Sequence, residues 1–273
     1  MEAGDRWKIH SGLKLAEETG NAYPERCDVE GSSELPQIVW LGHGCFFIRW
    51  GTARLVIDPV FSKWIGTTRR LVPSPDCMQL KPVDLVLLSH GHMDHLNSAS
   101  VAALEPKGIV LPRKTERFLA RALRPLTTGL SLGERFQCED IEIEIVPAAH
   151  GGWRYPWQRG YFACGYILRK DGKACYLAGD TANGPHFAEI GKRDCIDVAV
   201  LPIGAYAPRW FLKTRHINPE EACRAALQLG AKRVIPGHFG SYRLSLEPMD
   251  EPMRRFLAEA KRLEIDWRLP YAL

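Results

Sequence analysis

The sequence predicts one four-layer α/β domain: an αββα sandwich with two β-sheets packed face to face and helices outside them. Three observations carry this. Short apolar runs of strand length occur in both halves of the chain, helix-like segments accompany them in each half, and no low-complexity linker or short repeat separates the halves. A sheet must bury its apolar face, and two sheets back to back beneath outer helices do so in one body. With 273 residues, 45% of them hydrophobic, the chain is large enough for such a core.

The elements follow in order. Residues 1–35 have weak periodicity and read as an N-terminal arm, and the domain spans 36–273. Gln37 to Leu41, Cys45 to Trp50 and Arg54 to Asp58 read as strands punctuated by Gly42, Gly44 and Gly51. Asp84 to Ser89 is a buried strand, Asn97 or Ser98 caps a helix toward Leu104, Gly108 to Leu111 is strand-like and Thr115 to Leu123 helix-like. Ile141 to Ile145 alternates strictly, the mark of a half-exposed strand. Tyr161 to Arg169 and Lys173 to Ala178 form a hairpin around Asp171-Gly172. Ile196 to Leu201 is a further strand. Asn218-Pro219-Glu220-Glu221 starts a helix with a cap, a first-turn proline and a capping box, and Gly230 ends it. Lys232 to Pro236 is a last strand and Met253 to Leu263 a last helix.

Composition narrows the function classes. A net charge of +4 is modest, and the nearest basic cluster, Lys63 with Arg69 and Arg70, reads as a solvated loop where long polyanions are concerned, with a role beside a phosphate-bearing substrate left open. No nucleic-acid partner is expected; a small-molecule or lipid substrate is, with peripheral membrane contact left open. None of the eight cysteines forms a C-x-x-C pair, which points to a reduced, cytoplasmic protein. Met1 to Glu18 lacks an apolar signal core, and no run approaches the ~20 apolar residues of a membrane span.

The strongest motif follows the buried strand at 84–89. His90, His92, Asp94 and His95 put three imidazoles and a carboxylate into six positions. Alternate residues of an extended chain point the same way, so His90 and His92 share a target. Asp94 and His95 need a turn to share a second. Three other apolar strands lead to ligand-type residues: His150, Asp180 and His238. Alone, each such residue is more often a turn or cap residue. Together the seven suffice for two metal sites.

At these residues the chain resembles the metallo-β-lactamase superfamily, whose H-x-H-x-D-H motif His90, His92, Asp94 and His95 match, with His150, Asp180 and His238 following in order. Leu41-Gly42-His43, Asp58-Pro59-Val60-Phe61, Ala178-Gly179-Asp180-Thr181 and the stretch 202–222 resemble one branch. That branch holds the N-acylphosphatidylethanolamine-hydrolysing phospholipase D enzymes and their bacterial relatives. The likeness spans roughly residues 37 to 246 and departs from the branch at 151–160, a segment that helps wall the pocket.

The resemblance implies a dinuclear centre, preferably two Zn2+, with Fe or Mn compatible. It gives His90, His92 and His150 to one ion, Asp94, His95 and His238 to the other, and Asp180 to both. A bridging hydroxide would then attack a phosphodiester, and two dications against three negative groups leave a net charge of about +1 that favours it. Asp94, Asp180 and His216 are the implied catalytic residues, His216 on the substrate side. A lactone or ester hydrolase at the same metals is the alternative, and a non-catalytic binding protein on the same fold is the alternative of another class. His43 reads either as a donor supporting a ligand or as a core histidine. Asp58 reads as a buttress, and His10 and His186 as surface residues. Trp153, Tyr155 and Trp157, with Tyr206, Trp210 and Phe211, are candidates for the wall of an acyl pocket.

Overall fold

The computed structural model describes residues 34–155, 157–269 and 271–272, with strand Tyr271–Ala272 known by its backbone alone. His10 and nearly all of the expected arm lie outside these residues.

Two mostly apolar sheets form the core. The first contains β1 (Gln37–Gly42), β2 (Cys45–Trp50), β3 (Ala53–Ile57), then, after a small ribbon of β4 (Trp64–Ile65) and β5 (Thr68–Arg69), β6 (Leu85–Leu87), β7 (Gly108–Pro112) and β8 (Thr127–Leu130). The second contains β9 (Arg135–Cys138), β10 (Ile141–Gly151), β11 (Phe162–Lys170), β12 (Lys173–Leu177), β13 (Val198–Pro202) and β14 (Arg233–Gly237). β15 (Tyr271–Ala272) returns to pair in parallel with β1 at the edge of the first sheet. Its two residues carry no periodicity, so it is not legible in the sequence.

Alternate residues of both sheets meet in the middle. Ile48, Leu55, Leu87 and Val110 from one face Ile143, Tyr166, Leu168 and Cys175 from the other in a continuous buried cluster. The outer faces are covered as expected. α1 (Cys77–Leu80) and α2 (Ser98–Leu104) belong to the half of the first sheet, and α3 (His186–Arg193) to that of the second. α4 (Arg209–Leu212), a single turn that buries no residue, follows α3 in sequence, and α5 (Pro219–Leu229) and α6 (Glu251–Arg262) again belong to the half of the second sheet. No described helix is long and apolar enough to cross a membrane.

Local chemistry sets the boundaries. Asn97 accepts the Ser100 N–H and caps α2. Asn218 and Glu221 close the capping box of α5, and Gly230 ends it in the left-handed region. The hairpin turn is as read: Lys170 pairs with Lys173, and Asp171 and Gly172 carry φ of 50° and 72°.

Four readings are corrected. Thr115 to Leu123 is not one helix but two short 3₁₀ turns, Thr115–Phe118 and Arg121–Leu126, the second containing Pro125. Glu144 breaks the half-exposed pattern of β10. It is buried because Arg169 and Arg193 each reach it at 2.7 Å, so the charge is paired rather than solvated. Arg70 is buried too, donating to the carbonyls of Leu41, Val60 and Pro73 beneath Tyr242. A guanidinium with five donors can satisfy several turn carbonyls at once, which no charge count reveals. His186 is buried at the start of α3 and lies 3.2 Å from Thr181 Oγ1.

The capping box sits two residues after His216, so it fixes both a helix and a site loop. Asn218→Ala is expected to cost about 1 kcal/mol, a fall in Tm of about 2–4 °C for a domain this size. Calorimetry of variant and parent checks this; an unshifted Tm would remove the cap from the account.

Candidate metal centre

The site lies at one end of the seam between the sheets, where strands stop and loops begin. The loop after β6 carries His90, His92, Asp94 and His95; β10 ends at His150; Asp180 follows β12; His238 follows β14. The structure brings all seven together.

Three imidazoles form one group. His92 Nδ1 lies 2.9 Å from His90 Nε2 and 3.2 Å from His150 Nε2. A second group joins Asp94 Oδ2, His95 Nε2 and His238 Nε2, at 3.6 Å from the carboxylate to each imidazole and 3.1 Å between the imidazoles. Asp180 stands between the groups. Its oxygens lie 3.2 Å from His95, 3.1 Å from His238, 3.9 Å from His150 and 4.0 Å from His90. His216, the substrate-side candidate, lies 3.8 Å from Asp180 Oδ2.

These separations suit cation binding. Four ligands about 2.0–2.1 Å from a tetrahedral ion lie about 3.3 Å from one another. The tautomers agree as well. His150 Nδ1 lies 2.7 Å from the Arg215 carbonyl, which only accepts, so Nδ1 carries the proton and the Nε2 lone pair faces the cluster. Asp180 Oδ1 and His216 Nδ1 are buried without a hydrogen-bond partner among the described residues. Unsatisfied buried polar atoms are costly unless something unites them, and a His/Asp set of this kind is able to hold metal ions.

Charges within the cluster are strongly coupled. Burial opposes protonation of His238, but the Asp180 and Asp94 carboxylates outweigh it and carry its pKa up to about 9. His95 is raised well above the ordinary histidine range in the same way, against its burial, by Asp180, Asp94 and Asp58. Burial and then the neighbouring imidazoles hold His90 well below that range, and burial with His150 takes His92 down to about 4. The Asp94 and Asp180 carboxyls resist the effect of burial and stay well below the usual carboxylate range beside His95 and His238.

Supporting residues fix these donors. Asp58 accepts from the Ser89 N–H at 2.7 Å and from His95 Nδ1 at 2.7 Å, and takes the Ser89 hydroxyl at 2.5 Å. Ser89 Oγ also lies 2.9 Å from His90 Nδ1. One carboxylate therefore orients a ring of each group, and the buttress reading of Asp58 is the observed one. His43 joins the site through Nε2, 3.0 Å from Asp94 Oδ2, which resolves its two readings in favour of support. Its backbone N–H donates to Ser241 Oγ, and its carbonyl accepts from the His238 N–H.

Sequence reasoning assigned no role to Ser89, Thr181, His186 or Ser241. Thr181 joins three site loops: its hydroxyl accepts from the Ala149 N–H, its carbonyl accepts from the Ile217 N–H, and it meets His186. Its one signal is its place beside Asp180. Gly179 is required there by φ of 61° and by Ser89 Cβ and the Cys164 carbonyl, each 2.9 Å from where a Cβ would stand.

The aromatic candidates divide. Trp153 packs edge-on against His92, with ring centroids 4.7 Å apart. Tyr206 does not line a pocket: it is buried and donates to Glu251. Tyr155, Trp157, Trp210 and Phe211 face outward.

Two sheets with a His/Asp cluster at their shared edge define a metal-dependent hydrolase fold. The chain belongs to the metallo-β-lactamase superfamily: the Beta-lactamase superfamily domain matches residues 53–239. The N-acyl-phosphatidylethanolamine-hydrolyzing phospholipase D 1 of Caenorhabditis elegans is 30% identical over 240 residues, covering 78% of this chain and 67% of that protein. A metal-dependent hydrolase of Methanoregula boonei is 33% identical over 208 residues, 75% of this chain and 82% of its own. In structure, a metallo hydrolase from Ignicoccus hospitalis superposes with a TM-score of 0.63 at 22% identity, over 86% of this chain and 95% of that one.

Metal uptake is expected to be proton-linked. Below pH 9 the chelator-stripped protein keeps protons on His238 and His95 that a ligand must shed, so affinity rises with pH and falls as the medium turns acidic. Zinc titration at pH 7 should release about two protons per chain, measured by calorimetry in buffers of different ionisation enthalpy. Uptake with no proton release would contradict the charge pattern.

Proposed function

We propose that the protein is a dinuclear metal-dependent hydrolase, a phosphodiesterase of phospholipase D type acting on a phosphodiester or lipid-like substrate. The observation that carries this is the pair of donor groups sharing Asp180. In this reading His90, His92 and His150 hold one ion, Asp94, His95 and His238 the other, and Asp180 serves both. Imidazole with carboxylate suits zinc, and iron or manganese are compatible. When bound, such ions supply Lewis-acid polarisation and activation of water near neutral pH.

The chain's own residues set the direction of approach. His90, His95, Asp180 and His238 form a buried floor, while His92, Asp94 and His216 keep a minor exposed edge, so substrate reaches the cluster from their side. Burial pushes the His216 pKa down to about 3, and added cations would lower it further. His216 is thus neutral at physiological pH. Its role is to donate an N–H hydrogen bond to a phosphoryl oxygen, not to deliver a proton as an imidazolium. Arg209 steadies the segment by donating to the His216 carbonyl at 2.8 Å. A centre with net positive charge favours an anionic phosphodiester over a neutral ester, and the name of the nematode relative agrees.

The test is a hydrolysis panel on metal-loaded protein, with glycerophosphodiesters against lactones. Phosphodiester turnover is expected; lactone-only turnover would replace this reading with an ester hydrolase at the same centre. Protein that keeps well below one metal per chain and cannot be reloaded would be a binding protein on a retired fold. Asp180→Ala should lower turnover by more than about 100-fold, beyond the loss from removing a supporting residue, and weaken metal retention, with the circular-dichroism spectrum of the parent. His216→Ala should keep its metal and lose about 100-fold in kcat, with His216→Gln recovering part of it. Equal rates for His216→Ala and the parent would take His216 out of the site.

A further inference from the structure

Two segments beside the centre expose aromatic rings that packing does not explain. Trp157 is 76% exposed and stacks on Tyr155, with ring centroids 5.0 Å apart. Trp210 is 80% exposed on α4, next to Phe211 at 49%. Large rings left this bare mark contact surfaces.

Both segments are tied to the mouth of the site. The first follows His150, and its Trp153 packs on His92. The second ends at Arg215, whose carbonyl accepts from His150 Nδ1 at 2.7 Å. Their charge has one sign. No Asp or Glu occurs in 151–170 or 198–219. Arg209 is held by Glu221 at 2.9 Å, but Arg159, Lys213 and Arg215 have no ion-pair partner among the described residues. Arg215 lies over the Phe211 ring at 4.5 Å.

We propose that this rim docks the protein on anionic phospholipid membranes, with Trp157 and Trp210 seated at headgroup level and Arg159, Lys213 and Arg215 against lipid phosphates. Tryptophan and tyrosine favour the membrane–water interface, and clustered cations without carboxylates favour an anionic leaflet. A second copy of the chain is a poorer occupant, because two rims of the same positive charge repel. The two segments of the docked face adjoin His92 and His150, so a lipid phosphodiester would pass into the site without crossing bulk water. In that purpose the proposal rests on the lipid phosphodiesterase reading, but the docking itself does not require turnover.

The test is co-sedimentation of the metal-loaded protein with vesicles, either pure phosphatidylcholine or phosphatidylcholine with 30% phosphatidylglycerol as the chosen probe, at about 0.15 M salt. Binding is expected to the anionic vesicles only. The double variant Trp157→Ala/Trp210→Ala should bind at least tenfold more weakly. Lys213→Gln/Arg159→Gln should bind about 25-fold more weakly, about fivefold per cation, and 1 M salt should abolish binding. Both variants should keep parental turnover of a short-chain, water-soluble phosphodiester. No binding to the anionic vesicles, or equal binding by parent and variants, overturns the proposal. Concentration-dependent dimerisation that both variants abolish, without vesicle binding, would assign the face to a second copy and overturn it too. Binding without phosphodiester turnover would leave the docking standing and remove the phosphodiesterase reading.

Discussion

Five imidazoles stand within 4.0 Å of one buried carboxylate, Asp180. Much of the surrounding turn and loop structure serves to hold this cluster together. Taking such groups out of water is costly unless shared protons or cations compensate. Without metal, Asp180 and Asp94 hold protons on His95 and His238, and the remaining rings stay neutral. The cluster's carboxylate charge is thus balanced by removable protons, with free nitrogen lone pairs on the remaining rings, an arrangement suited to accepting cations in exchange for protons.

Holding the donors in place requires uncommon backbone. His43, Asp58 and His238 adopt φ of 58°, 46° and 57°, a region that costs a residue with a side chain about 1–2 kcal/mol. Each is clamped: Asp58 N–H donates to the Leu87 carbonyl, His238 N–H to the His43 carbonyl and His43 N–H to Ser241. Strain gathered at one end of a rigid sandwich is stable because the sheets do not yield. Tyr166 on β11 donates across to the Leu88 carbonyl at 2.7 Å, and the Cys164 N–H donates to the Ser89 carbonyl at 3.1 Å. The loop that carries four of the donors is therefore pinned to the opposite sheet.

Much of the site was legible because ligand chemistry leaves dense residue signals. His90, His92, Asp94 and His95 are conspicuous by spacing alone, and His150, Asp180 and His238 each end an apolar strand. The supporting residues were not legible. Ser89 and Ser241 belong to a common type whose role depends on what lies across the fold. His186 is buried because α3 begins against Thr181, and Arg70 because it meets carbonyls of separate turns; both contacts are non-local. Glu144 illustrates the same limit: alternation correctly marked a strand, but Arg169 and Arg193 arrive from other elements to cover its outer face.

Periodicity, capping and ligand spacing are local properties of the chain, so residue order was enough to read the two-sheet class, most strands, the capped helix at 219–229 and the seven donors. That His43 serves Asp94, that Asp58 orients rings of both donor groups and that His216 is desolvated into neutrality emerged from the packed fold. The same packing also left Tyr155, Trp157, Trp210 and Phe211 facing outward rather than packed in a core. Each of these depends on distances between segments far apart in the chain, and such distances exist only once the sheets have packed.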